Sequence, residues 1–246
     1  MTKRIAMLML AATTAANAQF PANAGFETGV FTPWTVTNTA AGTSVSTGIA
    51  MYDIDGSSGL PLSRAASFMV GRSAAVTTPQ GVELSQAVDL LGGIDLRLTA
   101  NWSVFPLVNV YNAGGGTFEL LVDGQVIGQA TAPVTVAGQA TYGTVSGSFH
   151  PAVNSSHMLT VRITRNIPAG EEVFQYVDNV YLTPACYPNC DFGYATPILT
   201  ANDFQCFLNQ FASGRPYANC DGSTASPLLT ANDFQCFLNA YASGCN

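Results

Sequence analysis

Positive charge is scarce in this sequence of 246 residues. It contains 8 lysine and arginine residues against 15 aspartate and glutamate residues, and its only lysine is Lys3. Because so acidic a chain has no basic cluster, we expect no binding to nucleic acid or to an anionic membrane surface. No apolar stretch reaches the roughly 20 residues that cross a bilayer, so we also expect no membrane span.

Signatures of common enzymes are also lacking. The two histidines, His150 and His157, do not have the spacing of a helical metal pair, and neither Gly-x-Ser-x-Gly nor His-Glu-x-x-His occurs. Glycoside hydrolysis requires only two carboxylates. Candidates are Asp53, Asp55, Glu83, Glu119, Glu171 and Glu172. Scattered carboxylates are usually solvated, so we expect a non-catalytic protein and keep a small glycosidase as the alternative.

The N-terminus has the pattern of an export signal. Lys3 and Arg4 precede an apolar run from Ile5 to Ala16, and Ala16-Asn17-Ala18 places small residues at a cleavage site. We therefore predict a signal peptide over residues 1–18 and a secreted or cell-surface protein. The alternative is a buried N-terminal helix. Removal of the signal leaves six arginines as the basic residues.

Cysteine is absent before position 186 and frequent after it. The six cysteines are Cys186, Cys190, Cys206, Cys220, Cys236 and Cys245. This density is typical of a small domain held by disulfides, and export supplies the oxidising compartment in which they form. We therefore predict a larger domain over residues 19–183 and a small cross-linked module over residues 184–246.

The larger region alternates between apolar and polar residues, as β-strands do. Alternation runs through 96–104 and 159–163, and a third stretch, 118–122, leads into the turn Asp123-Gly124. In the last predicted strand, one face carries Tyr176, Asp178, Val180 and Leu182. The pattern predicts a mainly β protein with an antiparallel β-sandwich.

The two ends of this region resemble a known fold. "NAGFETGVFTPWTV" at 23–36 and "YVDNVYL" at 176–182 resemble the first and last strands of the galactose-binding-like jelly roll. The resemblance implies carbohydrate or surface binding. It also implies a structural calcium held by Glu27 and Asp178; the alternative is a turn glutamate and an ordinary strand carboxylate.

Sugar binding requires exposed aromatic rings, and the sequence offers few clear ones. The alternation places Trp34 and Trp102 in the core. Tyr52, Tyr111 and Tyr142 lie near glycines and are the candidates for exposure.

The C-terminal region repeats itself. "LTANDFQCFLN" occurs at 199–209 and at 229–239. Each copy has an apolar stripe with helical spacing, formed by Phe204, Phe207, Leu208 and Phe211 in the first and by Phe234, Phe237, Leu238 and Tyr241 in the second. We predict two loop–helix repeats, 189–214 and 219–244, each ended by a glycine, that bury their stripes against each other.

Oxygen-bearing residues at alternating positions precede each predicted helix, as in calcium loops of the EF-hand kind. The predicted calcium ligands are Asn189, Asp191, Gly193, Thr200 and Asp203 in the first loop, and Asn219, Asp221, Ser223, Thr230 and Asp233 in the second. Gly193 has no side chain, so we expect the first loop to be the weaker site. The alternative is that Asp203 and Asp233 serve only as helix N-caps.

Paired calcium loops with this sequence resemble the cysteine-containing dockerin modules at the C-termini of exported planctomycete proteins. The resemblance implies docking to a cohesin-like or other surface-anchoring protein. It places partner contacts at Ala201, Asn202, Ala231 and Asn232. We therefore expect an exported non-catalytic protein whose sandwich binds carbohydrate or a surface and whose dockerin-like module anchors it. A purely structural surface protein is the second alternative.

The cysteine spacing favours disulfides within each repeat. Cys206 lies about 200° around the helix from Phe204, away from the stripe, and the metal would draw Cys190 toward it. Equal spacing favours Cys190–Cys206 and Cys220–Cys236, and the two-fold arrangement of dockerin units implies a Cys186–Cys245 clasp. Crossed pairs, Cys190–Cys236 and Cys206–Cys220, are the alternative.

Overall fold

The computed structural model describes residues 21–52, 54, 63–107, 114–134, 136–169, 172–193, 196–223 and 226–245. The predicted signal peptide, together with Asp53, Asp55, Tyr111 and Glu171, lies outside the described residues. The elements are β1 Thr35–Asn38, β2 Gly42–Met51, β3 Arg64–Arg72, β4 Gln80–Leu90, β5 Leu96–Pro106, β6 Thr117–Val122, β7 Gln125–Thr131, β8 Thr141–Phe149, β9 Ser155–Arg165, β10 Val173–Pro184, α1 Ala201–Ala212, a short 3-10 turn Pro216–Ala218 and α2 Ala231–Ser243.

The strands form two five-stranded sheets. The first has the order β1-β4-β9-β6-β7 and the second the order β2-β3-β10-β5-β8. Neighbouring strands are antiparallel throughout, with Val36 opposite Leu84 in the first sheet and Val177 opposite Trp102 in the second. The predicted fold class, an antiparallel sandwich with a small helical C-terminal part, is confirmed. Among the described residues, neither helix has the length and apolar character needed to cross a bilayer.

Alternating side chains of both sheets meet in one hydrophobic core. Because successive residues of a strand point to opposite faces, Leu98 and Val104 of β5 and Leu159 of β9 reach this core. Trp34 and Trp102 are only 4% and 6% exposed and belong to the same core, as their sequence phase predicted.

The prediction that Tyr176, Asp178, Val180 and Leu182 share one face of the last strand was wrong. The register of β10 against β5 shifts between Asp178 and Tyr181, and Asn179 adopts a left-handed backbone with φ of 49°. A bulge adds one residue and reverses which face the following side chains occupy. Tyr176 therefore lies on the outer face, whereas Leu182 lies in the core.

The two helices pack through their repeated aromatic residues. Phe207 stacks on its repeat equivalent Phe237 with ring centroids 4.0 Å apart. The crossed contacts Phe204–Phe237 and Phe207–Phe234 are nearly equal, at 6.3 and 6.1 Å. Each repeat therefore buries its stripe against the other in an approximately two-fold manner, while Leu208 stays only half-buried at the edge.

The repeat extends further toward the N-terminus than the identical segment does. Tyr187 and Tyr217, thirty residues apart, stack with centroids 4.9 Å apart. Each hydroxyl donates to the backbone carbonyl of the other tyrosine, and burial raises the pKa of both phenols. Cys206 is partly buried and packs against the cluster that contains its disulfide partner Cys190.

The helical part also contacts the sandwich. The N–H of Ala185 donates to the carbonyl of Asp95 at 2.8 Å. Phe192, in the loop before α1, is 5% exposed and belongs to the sandwich core.

Truncation of Phe207 tests the repeat packing. Phe207→Ala should destabilise the helical part by about 3–5 kcal/mol, because it removes a fully buried ring and leaves a cavity beside Phe237. The measurement is urea unfolding followed by the helical circular dichroism signal. Leu208→Ala, at the half-buried edge of the same helix, is the control and should have a much smaller effect.

Candidate functional site

The first loop gathers oxygen atoms around a buried point. The Nδ2 group of Asn189 donates to the carbonyl of Gly193 at 2.9 Å, which turns its Oδ1 atom into the loop. This Oδ1 atom is buried and has no hydrogen-bond partner. Since a buried polar atom without a partner is unfavourable, the geometry calls for a positively charged or hydrogen-donating group at this point.

Two carboxylates lie beside this oxygen. Asp203 is fully buried, and its Oδ1 and Oδ2 atoms accept from the N–H groups of Asp191 and Thr200 at 3.2 and 2.7 Å. Burial and a hydrogen bond with the side chain of Asp203 raise the pKa of the Asp191 carboxyl. Two acidic groups held this close repel each other when both are charged.

Gly193 leaves space at the centre of these oxygens. A Cβ atom on Gly193 would lie 2.9 Å from Asp191 Oδ1, 3.7 Å from Asn189 Oδ1 and 3.5 Å from the carbonyl oxygen of Ile198. The sequence did not predict the carbonyl oxygen of Ile198 at this place. Every residue has a main-chain oxygen, so residue type gives no signal, and the loop is longer than a usual calcium loop.

The second loop repeats this geometry. Asn219 Nδ2 donates to the carbonyl of Ser223 at 2.8 Å, and Asn219 Oδ1 is again buried without a partner. The carboxylate of Asp233 accepts from the N–H groups of Asp221 and Thr230 at 3.2 and 2.8 Å. Burial acts to raise the pKa of Asp233, but hydrogen bonds from Thr230 and Asp221 outweigh it and lower that pKa.

Ser223 adds a side chain that the first loop lacks. Its hydroxyl lies 3.3 Å from the carbonyl of Leu228, which is the repeat equivalent of Ile198. The second loop therefore has one more side-chain oxygen than the first.

These donor sets fit calcium. Among the described residues no three acidic, histidine or cysteine side chains converge at one place, and each loop combines two carboxylates with amide and carbonyl oxygens. Calcium accepts all of these oxygen types. A cation would satisfy the orphaned Asn189 and Asn219 oxygens and offset the repulsion between the paired carboxylates.

The two closing aspartates are not the helix N-caps, which was the alternative to a role in metal binding. Thr200 and Thr230 are the N-caps, and Asp203 and Asp233 are the third residues of capping boxes. Each aspartate accepts from the cap residue with one oxygen and from the loop with the other, so neither is itself the N-cap.

The structure places the six cysteines in three disulfides. These are Cys186–Cys245, Cys190–Cys206 and Cys220–Cys236, the pairs that the sequence favoured over crossed pairing. The bonds within the repeats join the start of each loop to its helix, and the third joins the two ends of the module.

The predicted partner contacts are accessible. Ala201, Asn202, Ala231 and Asn232 are all exposed at the starts of the two helices. The apolar side chains Ile198 and Leu228, which precede them, are 41% and 37% exposed.

Glu27 and Asp178 lie near each other, where the first segment meets the last strand. A Cβ atom on Gly25 would lie 3.6 Å from Asp178 Oδ1 and 3.8 Å from Glu27 Cγ. Asp178 is 1% exposed and accepts from the N–H of Asn179 at 2.7 Å. Glu27 accepts from the N–H of Arg64 at 3.0 Å.

The outer side of the second sheet carries an aromatic face, which we define as Tyr52, Phe105, Tyr142, Phe174 and Tyr176. Tyr52 and Tyr176 are nearly parallel, with centroids 3.6 Å apart, and Phe174 lies 5.9 Å from Tyr176. The Tyr52 hydroxyl lies 3.0 Å from Ser103 Oγ, and burial raises its pKa. Tyr142 is 42% exposed.

Two of the carboxylates proposed for glycoside hydrolysis, Glu83 and Glu119, are engaged by an arginine. Arg162 lies between Glu83 and Glu119, with its Nε atom 2.8 Å from Glu83 and its Nη1 atom 3.4 Å from Glu119. Both carboxylates therefore form ion pairs with the same arginine side chain. Glu172 is exposed beside β10.

Ser155 and His157 of β9 form a hydrogen-bonded chain with Asp123 of the β6–β7 turn, which the sequence did not predict. Ser155 Oγ lies 2.8 Å from His157 Nε2, and His157 Nδ1 lies 2.7 Å from Asp123 Oδ2. This is the order of groups in a serine–histidine–aspartate triad. Acyl transfer also needs N–H donors for the oxyanion, but the nearby N–H groups of Gly92 and Gly93 donate to Asn154 Oδ1 and the Pro151 carbonyl.

The chain instead joins the β6–β7 turn to β9. The N–H of Met158 donates to Asp123 Oδ1 at 2.8 Å, and the N–H of Asp123 donates to the Met158 carbonyl at 2.9 Å.

Comparisons with known proteins give structural similarity only. No family model and no curated protein matches the sequence. Among solved structures, TmCBM61 in complex with β-1,4-galactotriose has 19% identity and a TM-score of 0.39, over 68% of this chain and 98% of that chain. An apo-form cyclase from Fischerella sp. has 16% identity and a TM-score of 0.41, over 65% and 92%. A CBM4 structure has 9% identity and a TM-score of 0.36, over 61% and 86%. These similarities assign no ligand or activity to the chain.

The Asp123 carboxylate yields a pH prediction. Burial acts to raise its pKa, but hydrogen bonds from Met158 and His157 lower it below the ordinary value, which is about 3.9. A carboxyl group whose pKa is lower in the folded state stabilises the protein at pH values above the ordinary pKa. This stabilisation is lost as the pH falls through the folded-state pKa. Asp123→Asn should therefore reduce stability at pH 7 by at most about 1 kcal/mol, since Asp123 is half-exposed.

Urea unfolding between pH 7 and pH 2.5 measures this difference, which should shrink as the pH drops below the range of ordinary aspartates. Asp89→Asn, an exposed change on β4, is the control and should show no such trend. A stability difference for Asp123→Asn that stays constant over this range would contradict the assignment.

Proposed function

We propose that this chain is an exported, non-catalytic binding protein. Its C-terminal module, residues 184–246, is a calcium-binding, dockerin-like anchor, and its sandwich, residues 19–183, binds carbohydrate. The observation that carries the proposal is the doubled cluster of loop oxygens, in which a buried asparagine oxygen without a partner lies beside two carboxylates in both repeats.

The doubled loops support a docking role because metal and partner sites are adjacent. Calcium would hold each loop closed against the first turn of its helix, where Ala201-Asn202 and Ala231-Asn232 are exposed. The exposed apolar side chains of Ile198 and Leu228 continue each surface. A cohesin-like or other surface-anchoring protein would meet two similar patches of polar and apolar groups.

Calcium should stabilise the module. A ligand that binds only the folded state stabilises it by an amount that grows with the logarithm of the ligand's excess over the dissociation constant, about 2.7 kcal/mol at a hundredfold excess. We therefore expect a higher melting temperature in calcium than in chelator for the full mature chain, followed by the helical circular dichroism signal.

A double variant, Asp203→Asn with Asp233→Asn, keeps the size of both side chains but removes their charges, and it should abolish this shift. The matched control, Gln205→Ala with Gln235→Ala on the exposed sides of the helices, should retain it. Identical wild-type melting curves in calcium and in chelator, with metal removal verified, would refute the calcium proposal.

A further calcium is proposed where Glu27 meets Asp178. The Cβ position beside Gly25 lies 3.6 Å from Asp178 Oδ1, 3.8 Å from Asn179 Oδ1 and 3.8 Å from Glu27 Cγ. This ion would be structural, because it would join the first described segment to the last strand.

Carbohydrate binding is proposed at the aromatic face. Ligand sites combine flat apolar surface with a few fixed polar groups. Tyr52 and Tyr142 present rings at this face, and a side-chain hydrogen bond joins them. Ser103 and Ser67 lie beneath the rings and hydrogen-bond Tyr52 and Tyr176, which holds the rings in place.

A glycan array tests this face on the full mature chain. For the glycan that the wild-type protein binds, Tyr142→Ala and Tyr52→Ala should each reduce the affinity, on the order of tenfold or more. Met158→Ala, a change of similar exposure on the outer side of the first sheet, is the control and should leave binding unchanged.

Two outcomes would favour the other functions. Release of reducing ends from a bound polysaccharide would indicate a glycosidase. Silence of the wild-type protein on the array and in the reducing-sugar assay would favour a purely structural surface protein.

A further inference from the structure

The two repeats provide an internal comparison, because their environments differ at only a few positions. From Pro197 and Pro227 to the ends of the shared segments, described equivalent residues have the same degree of burial. The differences lie at the loop entries. Asn189 and Cys190 are 4% exposed, whereas Asn219 and Cys220 are only half-buried.

The largest difference is at the fourth loop position. Phe192 is 5% exposed, whereas its repeat equivalent Gly222 is exposed. The ring of Phe192 belongs to the sandwich core and not to the core between the helices. The entry of the first loop is therefore a contact between the module and the sandwich.

Both loops require the same backbone at this position. Phe192 has φ of 59° and Gly222 has φ of 66°. Glycine adopts this left-handed conformation freely, but a bulky side chain is disfavoured there. Phe192 remains in this conformation although a glycine would suit the loop better, and the burial of its ring in the sandwich supplies the compensation.

Phe192 also lies between two of the proposed ligand positions. Asp191 precedes it and Gly193 follows it, and the N–H of Gly193 donates to Asp191 Oδ1 at 2.8 Å across it. The backbone that inserts the ring into the sandwich is therefore the backbone that directs Asp191 toward Asn189 and Asp203. Any ligand that favours this backbone also favours ring insertion, and the reverse holds equally.

We propose that Phe192 is a positioning residue that couples calcium in the first loop to the stability of the sandwich, while the second loop binds calcium independently of the sandwich. This proposal rests on the proposed calcium binding. It implies that the first loop, which lacks the side-chain oxygen of Ser223, is held ready for calcium by its contact with the sandwich.

Tryptophan fluorescence reports on the sandwich alone. Trp34 and Trp102 are the only tryptophans of the sequence, and both lie in the sandwich core. A melting curve followed by tryptophan emission therefore measures the sandwich within the full chain, and the helical circular dichroism signal measures the module.

The test uses the full mature chain in calcium and in chelator. Calcium should raise the melting temperature seen by tryptophan emission in the wild type and in Asp233→Asn. It should not do so in Asp203→Asn or in Phe192→Gly, which carries the residue of the second loop at this position. Phe192→Leu, which keeps an apolar side chain, should retain part of the shift.

Calcium titration by calorimetry provides the second readout. Phe192→Gly should weaken the first site about tenfold or more, within the usual range of coupling between sites. The second site, identified by its loss in Asp233→Asn, should keep its affinity. Gly222→Phe is the reciprocal control. In this variant, calcium in the second loop should still not change the melting temperature seen by tryptophan emission.

The outcomes separate this proposal from the proposed function. If calcium binds both loops but Phe192→Gly retains the full shift in tryptophan melting, the coupling is wrong and the calcium sites stand. If neither loop binds calcium, both proposals fall. If Phe192→Gly does not fold, Phe192→Leu decides the matter, because an undiminished shift together with undiminished affinity would overturn the coupling.

Discussion

The alternation of side chains across the second sheet is the constraint on which the surfaces of this protein depend. One side of each strand supplies the shared core, with Trp102 and Val177 among its residues, and this obliges the next residues to face outward. Ser103 and Tyr176, their neighbours in sequence, thus lie on the outer side of the sheet, where Tyr176 is part of the aromatic face and Ser103 hydrogen-bonds Tyr52. The same core receives Phe192 from the helical part, so the packing that closes the sandwich also holds the first loop.

The helical part meets a different physical constraint. A single loop–helix unit is too small to bury its aromatic stripe, and the stacking of Phe207 on Phe237 resolves this through an equivalent unit. The loops gather carboxylates and orphaned amide oxygens at two buried points, where paired carboxylates repel each other when both are charged. Disulfides from each loop entry to its helix hold these groups together.

Local sequence patterns predicted much of this structure, and their failures have identifiable causes. Alternation located β5, β6 and β9, and the Asp123-Gly124 turn lies between β6 and β7 as expected. Alternation failed in β10, because one bulged residue reverses the faces without any change in residue type. The Ile198 carbonyl was missed because main-chain oxygens are common to all residues.

The sequence by itself determined the fold class, the tandem repeat and the side chains that line both loops, because these follow from short-range periodicity. Only the tertiary structure decided which distant groups meet. Ser155, His157 and Asp123 form a chain because β9 pairs beside the β6–β7 turn. Phe192 differs from Gly222 in role because one repeat adjoins the sandwich and the other does not. Such contacts depend on strand order and packing across the chain, which no local pattern encodes.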